Sequence, residues 1–427
     1  MGNRFARRVP SERAGRASRK KLRALERDAL SSRVSVSKNA ITEDRAPLLA
    51  LDGLLGLGAK PPLRDPIRSA CREINRLRRE ENAFVLAVDI PTGLDGDSGE
   101  TDADCVVADF TVTIAAAKRG LLADRAVDVV GRLEVVRLAE LEGRAEARPG
   151  VVADAESMRS LLPRRPFDSY KNQFGRVGVV AGSKGFVGAA LMCSSGALRA
   201  GAGLVELFVP EEIYEIVAAA AAAEVMVKPV TSYRSLLDEK IDVWALGPGL
   251  GQQRADEILR LISEAKQPMV IDADGLNILA REVPVLRQTA GPRLLTPHPG
   301  EMKRLDAQAP QTRAETAEQF CANYPVALLL KGSRTIVAER ARPLSYNTTG
   351  TPGMATGGMG DVLTGVCAAL IAQKLTAYDA ARLGAWLCGR AAEIAVFSRG
   401  ASEESLLPSD VLANLGRAFN DLRSSNR

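Results

Sequence analysis

Histidine is almost missing from this chain: one residue, His298, in 427. Metal clusters built on several imidazoles are thereby excluded. Aromatic residues make up only 4%. Alanine and glycine therefore do much of the packing, which suits helices lying close against a parallel sheet better than a β-sandwich. The six cysteines (Cys71, Cys105, Cys193, Cys321, Cys367, Cys388) are scattered without short paired spacing. Neither a disulfide framework nor a zinc site is indicated, and the expected compartment is the reducing cytoplasm. No apolar run approaches the ~18 residues of a membrane helix; the longest candidate, Ile216 to Ala223, stops at Glu224. A Walker A string is absent too, which argues against P-loop chemistry.

What is present is uneven. Residues 1–45 hold 13 Lys/Arg against 5 Asp/Glu, a net +8, so the remainder carries −3 of the chain's +5. This basic arm lacks the apolar core of a signal peptide. It could bind nucleic acid nonspecifically; its acids argue against a transit-like leader, and the favoured reading is a disordered, solvated extension. From Leu48 onward short apolar strands alternate with helix-like stretches. Phe84–Ile90 and Phe110–Ala115 read as buried strands. Glu140 to Asp154, charged and containing Pro and Gly, is the best linker. Beyond it the expected strands are 176–181, 204–209, 243–246, 269–271, 293–295 and 327–330, the last turning into 335–338. Expected helices cover 189–200, 211–223, 255–265, 313–324, 362–373, 377–398 and 409–422. Such alternation predicts an α/β fold with a mainly parallel sheet, whose ligands gather at the carboxyl ends of the strands.

The segment Asn347 to Asp361 carries the clearest chemistry. Gly350, Gly353, Gly357, Gly358 and Gly360 give a backbone able to turn tightly and approach a ligand closely. The apolar run after Asp361 reads as a buried helix whose first N–H groups, unpaired within the helix, point at that loop. This is a phosphate site. Asp361 at its mouth would repel phosphate, which makes sense for a base that strips a proton from an attacking hydroxyl. The alternative is a plain N-cap, a role Asp often takes.

Other polar motifs follow strand candidates. Ala181–Ala190 and Gly247–Gly251 are strand-end loops, each a weak signal alone. Asp272 and Asp274 could organise magnesium through water, or cap a helix and anchor a loop. His298 is fixed between two prolines in Thr296–Glu301, at a strand end. Lys331–Thr335 occupies an expected hairpin, with a lysine and turn amides suited to a nucleotide's phosphates; the alternative is a solvated turn.

These motifs together carry a resemblance. Residues from about Phe174 to Leu422 resemble the ADP/ATP-dependent NAD(P)H-hydrate dehydratases of the ribokinase-like group, through Val179–Ala190, Leu198–Leu204, Gly247–Gly251, Asp272–Asn277, Thr296–Met302, Lys331–Thr335 and Asn347–Gly365. One departure is Met359, where the family usually has a small residue. Residues 50–135 resemble the C-terminal part of the NAD(P)HX epimerase domain that bacteria often fuse upstream, through Leu51–Gly58, Ala87–Asp95, Ala108–Thr113 and Lys118–Leu121. That family's Asn-Asn-Gly-Gly-Asp loop does not occur in the sequence, and the basic arm stands in its place without resembling it.

The resemblance implies a three-layer αβα ribokinase-like domain over 150–425, preceded by a partial Rossmann-like α/β domain over 46–145. It implies dehydration of S-NADHX or S-NADPHX with ADP (ATP in eukaryotic forms) and Mg2+. The C6 hydroxyl of the reduced ring is phosphorylated and phosphate then eliminated. Asp361 would be catalytic. Ala189, Gly251, His298 and Asp361 would contact the hydrated cofactor, and Lys331, Gly332, Ser333, Arg334, Thr335 and Gly360 the adenine nucleotide, with no protein metal ligand assigned. In the upstream half Asp52 and Thr92 would help bind K+ and Asp89 would contact substrate. With its loop missing, that half is expected to be inactive, and K+ matters only if it is not. A homo-oligomer without membrane partners is expected. The alternatives are a vitamin or sugar kinase of the same fold and a non-catalytic nucleotide-binding protein.

Overall fold

In the computed structural model the described residues are 48–138, 150–162, 164–308 and 312–424. The expected arm over 1–45 lies outside them, as do residues 140–149 of the expected linker. The chain divides into two compact units, Met1–Arg144 and Ala145–Arg427.

In the first unit β1 (Leu49–Asp52), α1 (Ile67–Glu81), β2 (Phe84–Val88) and β3 (Phe110–Ile114) are followed by the helical turns α2 (Arg119–Leu122) and α3 (Val127–Val130), then β4 (Arg132–Val136). The four strands form one parallel sheet in the order β1-β2-β3-β4. The period of two sends Val85, Ala87, Thr111, Thr113 and Leu133 inward, while Leu49, Leu51, Phe84, Ile114 and Val136 stay exposed. Helix α1 buries Ala70, Cys71 and Ile74 as one stripe and gives its other faces to Arg and Glu.

The second unit begins with β5 (Gly150–Ala153) and the turn α4 (Ala155–Arg159). Next come β6 (Arg176–Val180), α5 (Val187–Arg199), β7 (Leu204–Pro210), α6 (Tyr214–Ala220), β8 (Val225–Val230) and β9 (Val243–Leu246). After them run α7 (Ala255–Glu264), β10 (Met269–Ile271), α8 (Ala273–Leu279), β11 (Arg293–Leu295), α9 (Pro299–Leu305) and α10 (Arg313–Asn323). The chain finishes with β12 (Ala327–Leu330), β13 (Ile336–Glu339), β14 (Leu344–Asn347), α11 (Met359–Ala372), α12 (Ala377–Arg399) and α13 (Pro408–Ser424). Ten strands make one sheet, ordered β5-β14-β13-β12-β11-β10-β9-β6-β7-β8. Only β13 runs against the others.

Both faces of this sheet are covered, as a mainly parallel sheet requires. Val177, Val179, Val205, Leu207, Ala245 and Leu329 pack with α5, α11, α12 and α13. Their neighbours Val180, Phe208, Trp244, Leu246, Leu328 and Leu330 pack on the other face with α7, α8, α9 and α10. The result is a three-layer αβα sandwich. Among the described residues no helix is long and apolar enough to cross a membrane.

One expectation needs correction. The end of the expected linker is strand: β5 pairs in parallel with β14, Gly150 opposite Leu344 through Ala153 opposite Asn347. Its four residues are too few to announce themselves beside a charged, glycine-containing stretch.

Candidate active site

Because β6, β9, β10, β11, β12 and β14 run the same way, the loops that follow them open on one edge of the sheet. The glycine loop leaves β14 and enters α11, in which every residue from Val362 to Ala372 is buried. Gly358 holds the N-cap position at φ +94°, with a left-handed backbone that L side chains rarely adopt. A Cβ there would also meet Met192 Sδ at 2.4 Å. Asp361 is the third helical residue, in the first turn, so the N-cap reading is corrected. Capping does not account for this carboxylate.

Around Asp361 stand groups from three other strand ends. Asp272, buried at the end of β10, takes the N-cap position of α8 but makes no cap bond. Ala273 beside it has φ +47°, a conformation costing an L residue roughly 1–2 kcal/mol. The Asp272 carboxylate is committed elsewhere. Oδ1 accepts from Lys331 Nζ at 2.7 Å and Oδ2 from Thr364 Oγ1 at 2.8 Å. Lys331 also lies 3.7 Å from Glu301 Oε2. Gly360 completes the cluster by having no side chain, since a Cβ would sit 3.2 Å from both Asp272 Oδ2 and Lys331 Nζ.

Three carboxylates thus face one ammonium. Burial, then the charge of Asp272, pushes the Asp361 pKa up to about 6; Lys331 opposes this and Glu301 adds to it. Burial alone would lower the pKa of Lys331, but Asp272 and Glu301 override it, and the ammonium is held above its ordinary value. A carboxylate near 6 is mostly ionised at neutral pH yet more basic than usual, as a general base should be.

His298 caps α9. Its Nδ1 accepts from Gly300 N at 3.0 Å and Glu301 N at 3.2 Å, while Glu301 Oε2 accepts from His298 N at 2.8 Å. With Nδ1 accepting, the ring's donor is Nε2, which lies 3.5 Å from Glu301 Oε1, and the side chain is half exposed. Gly251 donates its N–H to Asp274 Oδ2 at 2.9 Å, so Asp274 anchors that loop. Ala189, in the first turn of α5, lies against Gly249, where a Cβ would be 2.9 Å from its own. In the 331–335 turn Gly332 and Ser333 are exposed. Arg334, by contrast, is buried, and burial pushes its guanidinium down to about 10. The turn is therefore only partly solvated. Sequence reading had no reason to single out Thr364. The one available signal was a hydroxyl in an otherwise apolar helix.

In the first unit Asp52 is fully buried. Its Oδ1 accepts from Thr92 Oγ1 at 2.6 Å and its Oδ2 from Thr92 N at 2.7 Å. Burial raises its pKa, and the Thr92 bonds oppose the rise. Asp89, at φ +75°, accepts from Lys118 Nζ and from Ile114 N.

A helix-entering glycine loop at the carboxyl edge of such a sheet, without a P-loop, puts the second unit in the ribokinase-like class of α/β phosphoryl-transfer domains. Comparison with known proteins narrows the class. The family described as NAD(P)H-hydrate dehydratase matches residues 177–414, and the YjeF-related protein N-terminus family matches residues 9–120. The chain belongs to the NAD(P)H-hydrate dehydratase family and is an NAD(P)H-hydrate repair enzyme with a dehydratase domain. The bifunctional NAD(P)H-hydrate repair enzyme of Moorella thermoacetica is 37% identical over 385 residues, covering 85% of this chain and 71% of that protein. The Escherichia coli enzyme of the same description is also 37% identical, with 87% and 72% covered. Among solved structures, the ADP/ATP-dependent NAD(P)H-hydrate dehydratase of Bacillus subtilis, co-crystallised with ATP and Mg2+, aligns at TM-score 0.54 and 28% identity. It covers 63% of this chain and 97% of that one. The N-terminal match starts at residue 9, so the basic arm does share sequence with the YjeF-related family, contrary to the expectation that it resembles nothing there.

Proposed function

We propose that the second unit dehydrates S-NADHX or S-NADPHX by phosphoryl transfer from ADP, with Asp361 as the base. The observation that carries this is Asp361 in the first turn of a buried helix, beside glycine-loop amides and raised to about 6 by burial and then by its carboxylate neighbours. Asp361 takes the proton of the C6 hydroxyl as that oxygen attacks the β-phosphorus of ADP; the P–O bond to AMP breaks. First-turn N–H groups of α11 and the Gly357–Gly360 backbone stabilise charge on the moving phosphoryl group. The ring nitrogen's lone pair then expels phosphate from C6, and loss of the C5 proton restores the dihydronicotinamide. The net change is hydrate plus ADP to NAD(P)H, AMP and phosphate.

Ala189 at the start of α5, with Gly251 and His298 at strand-end loops of the same edge, holds the hydrated ring, and His298 Nε2–H, 3.5 Å from Glu301 Oε1, is the ring donor that faces it. Lys331, Gly332, Ser333, Arg334, Thr335 and Gly360 hold the nucleotide; Lys331 exchanges part of its pairing with Asp272 for phosphate. Mg2+ would arrive on the nucleotide and bridge its phosphates, neutralising their charge; among the described residues no group of three or more His, Cys, Asp or Glu is placed to hold a metal. In the first unit the Asp52 and Thr92 oxygens suit K+, which matters only if that half is active. We take the working compartment to be cytoplasmic and the assembly to be homo-oligomeric. The dehydratase domain extends over 150–425 and the epimerase-like domain over 46–145.

The test is to incubate the protein with S-NADHX, ADP and Mg2+. NADH, AMP and phosphate are expected in equal amounts. No recovery of dihydronicotinamide absorbance with ADP or ATP would refute this chemistry, and a lasting phosphorylated product would indicate a kinase.

A further inference from the structure

Glu393 is a buried acid that the chemistry above does not use. It sits on α12 in the apolar run Ala391-Ala392-Glu393-Ile394-Ala395 and is 1% exposed. A carboxylate in such surroundings must be compensated by strong bonds. Its Oε2 accepts from Arg390 Nη1 at 2.9 Å, and its Oε1 accepts the backbone N–H of Gly350 at 3.1 Å. Arg390 in turn donates through Nε and Nη2 to Asp421 Oδ2 on α13, at 2.9 and 2.7 Å.

The same face of α12 holds the rest of the loop's entry. Asn347 Nδ2 donates to Ala385 O, and Thr349 Oγ1 donates to Trp386 O at 3.1 Å. At Gly389 a Cβ would fall 2.3 Å from Thr349 Oγ1, so the helix and loop touch backbone to side chain. Residues 385, 386, 389 and 393 share one side of a 3.6-residue helix. The glycine loop is therefore fastened at its start to α12 and at its end becomes α11.

We infer that Glu393 is a positioning residue for the phosphate loop, acting through the Gly350 amide to set where the Gly357–Gly360 backbone meets a nucleoside diphosphate. This rests on the proposed function of that loop. The requirement is reach. An acceptor must extend from α12 to Gly350 while its other atom faces Arg390. Glutamine keeps that reach, aspartate keeps the charge but is one methylene short, and alanine keeps neither.

The experiment measures ADP binding by calorimetry, and steady-state kinetics, for wild type, Glu393→Gln, Glu393→Asp and Glu393→Ala. Glu393→Gln should bind ADP within about threefold of wild type. Glu393→Asp and Glu393→Ala should bind it about tenfold or more weakly, with the KM for the hydrated cofactor within about twofold of wild type. If Glu393→Ala does not fold, the Gln and Asp pair decides. Wild-type ADP affinity in the Asp variant, or equal impairment of Gln and Asp, would overturn the assignment. A wild type that binds ADP but turns over no hydrate would refute the dehydration chemistry and leave this comparison readable from binding alone.

Discussion

At the scale of single residues, Asp361 pays for its chemistry in folding free energy. Its folded pKa of about 6 lies above its ordinary 3.8, so the ionised form is the one burial penalises. The cost is absent below about pH 4, grows as pH rises through 6, and is complete above it. Asp361→Asn should therefore melt higher than wild type at pH 7.5, by on the order of 1 kcal/mol after discounting for partial exposure. The difference should vanish near pH 4. The same variant should lose ~10²–10⁴ in kcat, as removal of a positioned base does, with ADP binding retained. Near-wild-type turnover would end the assignment. In the wild type, kcat/KM should fall about tenfold per unit on the acid side of about pH 6, and a flat profile from 7 to 5 would contradict a base of that pKa. Asp361 was legible in the sequence because glycines and a buried helix flank it. The Lys331–Asp272–Thr364 contacts were not, since the partners lie 59 and 92 residues apart and only the fold brings them together.

Among the elements, α11 concentrates the risk. Its N-cap needs a left-handed backbone and has no room for a methyl group against Met192. Gly358→Ala should cost about 1–2 kcal/mol for the backbone alone, with the collision added. Thermal melts should show the loss, and ADP binding should weaken with it. Met192→Ala in the same chain should recover only the collision part; full recovery would mean that the backbone is not strained. Central strands β6, β9, β10, β11 and β12 were readable because burial on both faces leaves continuous apolar runs. β5 and β14 border the polar, glycine-containing segments, and β8 carries Lys228 and Pro229. Those compositions hide strands. Helix α1 was hidden by its charge, because only a narrow stripe of it is buried.

For the molecule as a whole, the two units pose separate questions. The first keeps Asp52 bonded to Thr92 and Asp89 bonded to Lys118, so these two acids are held in place. The Asn-Asn-Gly-Gly-Asp string expected to close their pocket is not among the 427 residues. Given pure R-NADHX, ADP and Mg2+, the protein should yield NADH no faster than spontaneous epimerisation allows, and adding a separate epimerase should restore speed. Rapid conversion by this chain alone would show an active first unit. The division into two α/β parts was legible from the restart of alternation. Where the second part begins was not, because β5 gains its place from β14, nearly two hundred residues later.

The reversed strand β13 has a consequence of parity. One reversal takes the chain from the carboxyl edge to the opposite rim; β14 is the second reversal and brings it back. Lys331 leaves from β12 and the glycine loop from β14, so both emerge on the same rim only because the count of reversals between them is even. Lengthening the turn between β13 and β14 would be tolerated by this logic. Deleting a single strand would not: it would deliver a correctly spelled phosphate loop to the wrong side of the sheet, facing none of its partners.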